Sequence, residues 1–402
     1  MPRLLTGRSG GMRAVAAALA VSALAALSAC SGSGGGVFRG GPTVGAEPVT
    51  GEVLGTGPIK VALLVPLSAT GNAGQLALNL RNAADLAIRG FQTANIQILV
   101  KDDRGTPEGA RLAASQAISQ GAELIIGPLF AQSVIAVSSV ARNANVPVVA
   151  FSTDATTATR GVYLLSFLPQ SDVDRIISFA ASRGKRSFAA LLPNTAEGTL
   201  YEAALQRAVA NAGGRVMTVA KYDLDKVSMQ QQATAVATLV GSGTVDAVFM
   251  PDAGDAAPFL AQVLAANGVL SSNVTFLGSG QWDDSRIAAE SNLNGGWYPA
   301  PEAAGFAGFA QRYQAAFGAE PFRAATLAYD ATSLAAGLAS RFGAERFRAE
   351  TLTAPSGFIG IDGAFRFLAN GISQRGLAVY EIQGGTARAI DPAPKTFAGA
   401  GI

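Results

Sequence analysis

From residue 58 onward, apolar runs alternate with amphipathic stretches in the rhythm of strand–helix–strand units. "IKVALLVPL" (59–67) is apolar at consecutive positions, the pattern of a strand buried on both faces. A helical stretch at about 73–90 follows and stops at Gly90, and "IQILVK" (96–101) is a second strand. Thr106-Pro107-Glu108 then supplies a helix cap and a first-position proline. "AELIIG" (122–127) and "VPVVAF" (146–151) are the third and fourth strands, with a helix between them. The pattern restarts after "YLLSFLPQSDVD" (163–174): strands at 187–193, 215–222, 245–251 and 274–280 alternate with helices, the first of them at 197–212. Helical segments at 302–317 and 323–342 and strand-like pieces at 363–371 and 377–383 close the chain. Short loops and parallel crossovers predict an α/β fold of two doubly wound parallel-sheet lobes, arranged as a hinged clamshell.

Two strand exits have the chemistry of a ligand rim. "LIIGPLFAQS" (124–133) leaves its strand through Gly127 and Pro128 and places Phe130, Ala131 and Ser133 at the head of a helix. "FSTD" (151–154) leaves the next strand with Ser152 and Thr153. In open α/β sheets ligands sit outside the carboxyl ends of the strands, where helix N-termini expose amides suited to a carboxylate. Singly these are ordinary caps and turns; on adjacent strand ends they point to an anion site.

The first residues change the picture of charge and location. Arg3, Arg8 and Arg13 precede a sixteen-residue apolar stretch, 14–29, too short and alanine-rich for a spanning helix, so 1–29 reads as a signal peptide. It ends in "LSAC", which resembles a bacterial lipobox with Cys30 as the lipidated first mature residue. Cys30 is the only cysteine, so no thiol remains for disulfides, thiol catalysis or metal binding. Removing the three arginines leaves 27 basic against 28 acidic residues, a charge of −1 that argues for no nucleic-acid partner. Residues 30–57, with ten glycines, read as a flexible tether spanning roughly 30 Å, so the membrane would be reached by a lipid anchor only. In similar lipoproteins of two-membrane bacteria, Ser31 after the cysteine implies outer-membrane sorting of a periplasmic protein.

Catalysis is not expected. The 402 residues include no histidine, which removes the usual general base and zinc ligand. Beyond the segment 1–29, neither G-x-S-x-G nor a phosphate-binding P-loop pattern occurs. "SRGK" (182–185) matches S-x-x-K without its companion motifs, and the carboxylates of "KDD" (101–103) suit turn capping. No cofactor or metal is implied.

"IKVALLVPLSATG", "DDRGTPEGARLAASQAISQGAELIIGPL", "NVPVVAFSTD" and "LAYDATSLAAGLAS" together resemble the type 1 periplasmic binding proteins of the leucine/isoleucine/valine-binding branch, over about 58 to 383. The resemblance implies a first lobe of 58–167 plus about 299–372 and a second of 168–298 plus about 373–392, joined by three crossovers. It implies closure on a small carboxylate-bearing solute such as an amino acid, delivered to an ABC-type permease. Phe130 to Ser133, Ser152 and Thr153 fall where the family holds the α-carboxylate. In the second lobe the family's D-x-x-Y-G segment reads "NTAEG", with Asn194, Glu197 and Gly198, and the loop "SATGNAG" (68–74) has no aromatic. Asp283 is then the candidate ammonium partner with Trp282 as apolar wall; Asp252 or Asp255 are substitutes, and helix capping is the plainer role for Asp283-Asp284. The same fold occurs in lipoproteins that activate penicillin-binding proteins. The lipobox, the tether and the altered amino-acid site fit that alternative, in which the clamshell docks on a peptidoglycan synthase.

Overall fold

The computed structural model describes residues 47–91 and 95–397; the expected signal peptide, Cys30 and the expected tether up to residue 46 lie outside the described residues. The first lobe contains β1 (Val53–Leu54), β2 (Ile59–Val65), α1 (Gly71–Gly90), β3 (Ile96–Asp102), α2 (Pro107–Ser119), β4 (Ala122–Ile126), α3 (Ala131–Asn143), β5 (Val148–Ala150) and β6 (Val162–Leu164). Its sheet runs β1-β3-β2-β4-β5-β6, parallel throughout except for β1. The central strands are buried on both faces because helices cover both. One face packs on α1, whose Ala77, Leu80, Ala83, Ala84 and Ile88 form its apolar stripe, and the other on α2 and α3. Thr106 caps α2 by accepting from the Gly109 amide at 3.1 Å, with Pro107 at the first helical position, as the sequence predicts.

One sequence expectation fails here. Residues 47–57 do not belong to a free tether: Val53 and Leu54 add an antiparallel edge to β3, and Leu54 is buried. Thr50 is held by Lys101, which donates to its carbonyl at 2.6 Å, and by the Gln116 and Gln120 amides on its hydroxyl. An open β3 edge explains the outcome, since its unpaired amides and carbonyls take the nearest extended segment as partner.

The second lobe contains α4 (Pro169–Ser182), β7 (Ser187–Pro193), α5 (Ala196–Asn211), β8 (Arg215–Tyr222), α6 (Lys226–Gly241), β9 (Ala247–Phe249), α7 (Ala256–Ala266), β10 (Thr275–Leu277), α8 (Ser285–Ala288) and β11 (Trp297–Ala300). The chain returns to the first lobe as α9 (Ala303–Phe317), α10 (Ala325–Arg341) and α11 (Ala349–Leu352), with α10 packed on α1's side of the sheet. A small antiparallel sheet, β12 (Phe358–Gly360), β13 (Gly363–Phe367) and β14 (Ser373–Arg375), precedes the hairpin β15 (Ala378–Gln383) and β16 (Thr386–Asp391). That hairpin completes the second large sheet, ordered β16-β15-β11-β10-β9-β7-β8. The chain thus passes between the large sheets three times, near 165–169, 301–303 and 375–378. Two expected boundaries move slightly: β11 keeps residues 299–300 in the second sheet, and β14 holds 373–375 in the small one. No helix among the described residues is long and apolar enough to cross a membrane.

Candidate functional site

Strand order reverses between β2 and β4 in the first sheet and between β7 and β9 in the second. At such switch points the loops leaving the strands diverge and open a crevice at the carboxyl ends. The relevant exits are 66–70, 127–130 and 151–154 in the first lobe, and 194–197, 250–255 and 278–284 in the second.

Gly127 makes the first exit possible. Its φ is +83°, and a Cβ there would lie 2.2 Å from the Leu64 carbonyl oxygen, so only glycine fits beside β2. Its amide donates to Val149 O at 2.8 Å and Phe151 N donates to Pro128 O at 3.0 Å, fixing this loop to the next. Phe130 is the N-cap residue of α3 but offers no side-chain cap, and Ser133 one turn in is buried with its Oγ unpartnered among the described residues. In the next loop Ser152 is buried and its Oγ accepts from the Asp154 amide at 3.1 Å, while Thr153 stands exposed. Asp102 and Asp103 cap their own turn: Asp102 accepts from the Ser68 and Arg104 amides and Asp103 from Gly105.

A cleft of about 1040 Å³ lies against these exits. Thr153 lines it from the first lobe, together with Phe306 and Arg323 of the α9–α10 region. Asp172, Glu197, Tyr201, Gln281 and Asp283 line it from the second lobe, and Phe167 lies in the crossover. Asp172 sits in the first turn of α4 and accepts from the Gly280 amide at 2.9 Å. Burial pushes its carboxyl up to about 7; the Gly280 amide and Arg375 pull the other way, and Glu197 adds to the rise. Glu197 is also raised, first by desolvation and then by Asp252, and it accepts from Gln281 Nε2 at 3.0 Å. Asp252, itself raised by burial, is bound by the Tyr222 hydroxyl. The second-lobe face is therefore acidic, and Asp172, Glu197 and Asp252 make no ion pair among the described residues.

The cation of the cleft is Arg323. It donates to buried Asp362 at 2.9 Å, stands 3.7 Å from Asp283 across the opening and lies over the Phe306 ring at 4.7 Å. Below it, Arg375 of β14 is buried, donates to Ser166 O at 3.0 Å and stacks on Phe167 at 4.6 Å, with Nη1 and Nη2 unpartnered among the described residues. Asp330, Asp362 and Asp172 surround it electrostatically.

The sequence-derived candidates separate in space. Thr153 and Asp283 line the cleft; Phe130, Ala131 and Ser133 occupy the neighbouring strand exit without lining it, and Ser152 lies beneath its loop. Trp282 is not an apolar wall of the cleft. It is fully buried in the second-lobe core, folded back onto Gly278, where a Cβ would lie 2.1 Å from the indole. Asp284, not Asp283, caps α8, accepting from Arg286 N at 2.8 Å. Asp172, Arg323 and Arg375 carry no local motif and become neighbours only through the crossovers.

The sequence matches the family described as periplasmic binding protein over residues 58–387. The chain belongs to the periplasmic binding protein family. Membership implies a solute-binding protein of the periplasm. Among solved structures the fold is shared with a candidate branched-chain amino acid ABC transporter protein from Rhodospirillum rubrum, at 19% identity and a TM-score of 0.71, covering 83% of this chain and 99% of that one. A solute-binding protein of an ABC transporter from R. palustris, in complex with benzoate, aligns at 19% identity and TM-score 0.56, over 85% and 97% of the two chains. An ABC transporter substrate-binding protein from Desulfitobacterium hafniense, in complex with Leu, aligns at 15% identity and TM-score 0.58, over 83% and 99%. No curated protein matches the sequence. The two-lobed periplasmic binding architecture predicted for the chain is thus the one it has.

Proposed function

We propose that this protein is the lipid-anchored solute receptor of an ABC-type importer and that its solute is a small molecule carrying both a carboxylate and an amine. The carrying observation is the polarity of the cleft: Asp172 and Glu197 line one face while Arg323 and Thr153 line the other. A zwitterion laid across it meets a carboxylate at its ammonium and a guanidinium with a hydroxyl at its carboxylate. The ammonium role expected of Asp283 passes to Asp172 and Glu197, because Asp283 already faces Arg323 and accepts from the Tyr298 hydroxyl at 3.5 Å. Phe167, Phe306 and Tyr201 add apolar wall for a side chain. Relatives of the fold solved with Leu and with benzoate, both carboxylate-bearing, support a carboxylate on the solute.

The test is a thermal-shift screen of the unliganded protein with amino acids, simple carboxylates, simple amines and peptidoglycan fragments. A zwitterion at a hundred times its dissociation constant should add about 2.7 kcal/mol of stability. The gain should vanish in Asp172→Asn/Glu197→Gln and shrink in Ser152→Ala/Thr153→Ala. A flat screen on folded protein sinks the receptor reading and turns attention to docking on a peptidoglycan synthase.

A further inference from the structure

A second pocket, of about 720 Å³, opens at the opposite end of the first lobe, where strands β4, β5 and β6 begin. Its charge is the reverse of the cleft's. Arg142, Arg160, Arg346 and Arg348 line it with a single carboxylate, Glu123. Arg346 gives one Nη to Glu123 at 2.5 Å, yet its Nε is buried and unpartnered among the described residues. Arg348 pairs outward with Glu345 at 2.6 Å. Arg142 and Arg160 make no ion pair or side-chain hydrogen bond among the described residues. Guanidiniums gathered around a concavity suit a phosphate, whose oxygens accept several N–H bonds at once.

The chain's own path says which phosphate. The described structure begins at Glu47, whose amide donates to Ser119 O at 2.9 Å and whose carboxylate accepts from the Ser119 hydroxyl at 2.8 Å. Ser119 ends α2, so Glu47 lies at the same end of the sheet as the pocket, away from the cleft. Cys30 is only sixteen intervening residues away, at most about 60 Å of extended chain. We infer that the basal pocket takes the phosphate of an anionic phospholipid headgroup, so that the first lobe rests its base on the membrane until the receptor turns its cleft to the permease. The inference rests on the reading of Cys30 as a lipid anchor, which acyl-chain mass spectrometry of the membrane form tests by itself.

Docking is tested on the chain from Ser31 onward, which has no acyl group and keeps every described residue. It should co-sediment with phosphatidylglycerol-containing vesicles, not with pure phosphatidylcholine, and be released by salt. Arg142→Gln/Arg160→Gln should weaken that binding about thirtyfold, while Arg207→Gln/Arg215→Gln, the same charge removed from the second lobe, should leave it unchanged. An unaltered melting temperature in both pairs excludes misfolding. Absence of vesicle binding, or equal loss in the two double variants, overturns the proposal. So does soluble glycerol phosphate binding as tightly as the vesicles, because the ligand is then a free anion.

Discussion

An aspartate that accepts from the Gly280 amide and lies near Arg375 has its proton pulled in opposite directions. Burial wins, and the Asp172 carboxyl titrates at about 7. Only the ionised form attracts an ammonium. Affinity for an amine-bearing solute should therefore fall about tenfold from pH 8 to pH 6, a range in which the solute's own amine stays charged. Calorimetric titration at the two values checks this. Asp172→Asn should bind weakly at both, and a wild-type affinity flat across the range would remove Asp172 from the binding face. None of this was visible in the sequence, because Asp172 and Arg375 stand about 200 residues apart and neither sits in a recognisable motif. Gly127-Pro128 was legible for the opposite reason: its demand is local, a positive φ against a neighbouring strand. Trp282 misled because an aromatic after a strand end reads as a cleft wall, and nothing but its spacing from Gly278 signals that it folds inward.

Among elements, those that bury a long apolar run declared themselves. β2 and β7 each have seven residues, and α1 and α10 have the length and stripe of helices packed on a sheet. Strands of two or three residues, such as β1, β12 and β14, hold too few positions for alternation to register, and pairing alone defines them. β1 is the instructive case, since its glycine-rich surroundings outweighed the Val53-Leu54 pair. A chain starting at residue 58 lacks this strand, the burial of Leu54 and the anchoring of Thr50. It should lose about 2 kcal/mol against a chain starting at residue 47, read as a lower urea midpoint, and aggregate more readily through the opened β3 edge. Equal midpoints would mean that residues 47–57 lie on the lobe without stabilising it.

Across the whole molecule, buried carboxyls concentrate where the lobes are joined. Asp330 of α10 accepts from the Ile361 amide at 2.8 Å, leaves its other oxygen unpartnered among the described residues and is pushed up to about 7 by burial, despite Arg375. Asp103 beside the first-lobe rim is pushed up to about 6 for the same reason, and Asp172 makes a third. A carboxyl whose folded value lies above its unfolded one holds a proton in the native state that the unfolded chain has released. Such groups favour folding fully below about pH 4, and that contribution is lost as pH rises through 6 and 7. Asp102, Asp246, Asp284 and Glu290 are shifted down, so their contribution is lost only in acid, below the usual carboxylate range. The two sets together place maximal stability on the acid side of neutrality. The melting temperature of the unliganded protein should be higher at pH 5 than at pH 8, and Asp330→Asn should flatten that slope. A melting temperature that rises from pH 5 to pH 8 would show that Arg375 keeps these carboxyls ionised, in which case the junction is a fully charged cluster and removing Arg375 would destabilise it more at pH 8 than at pH 5.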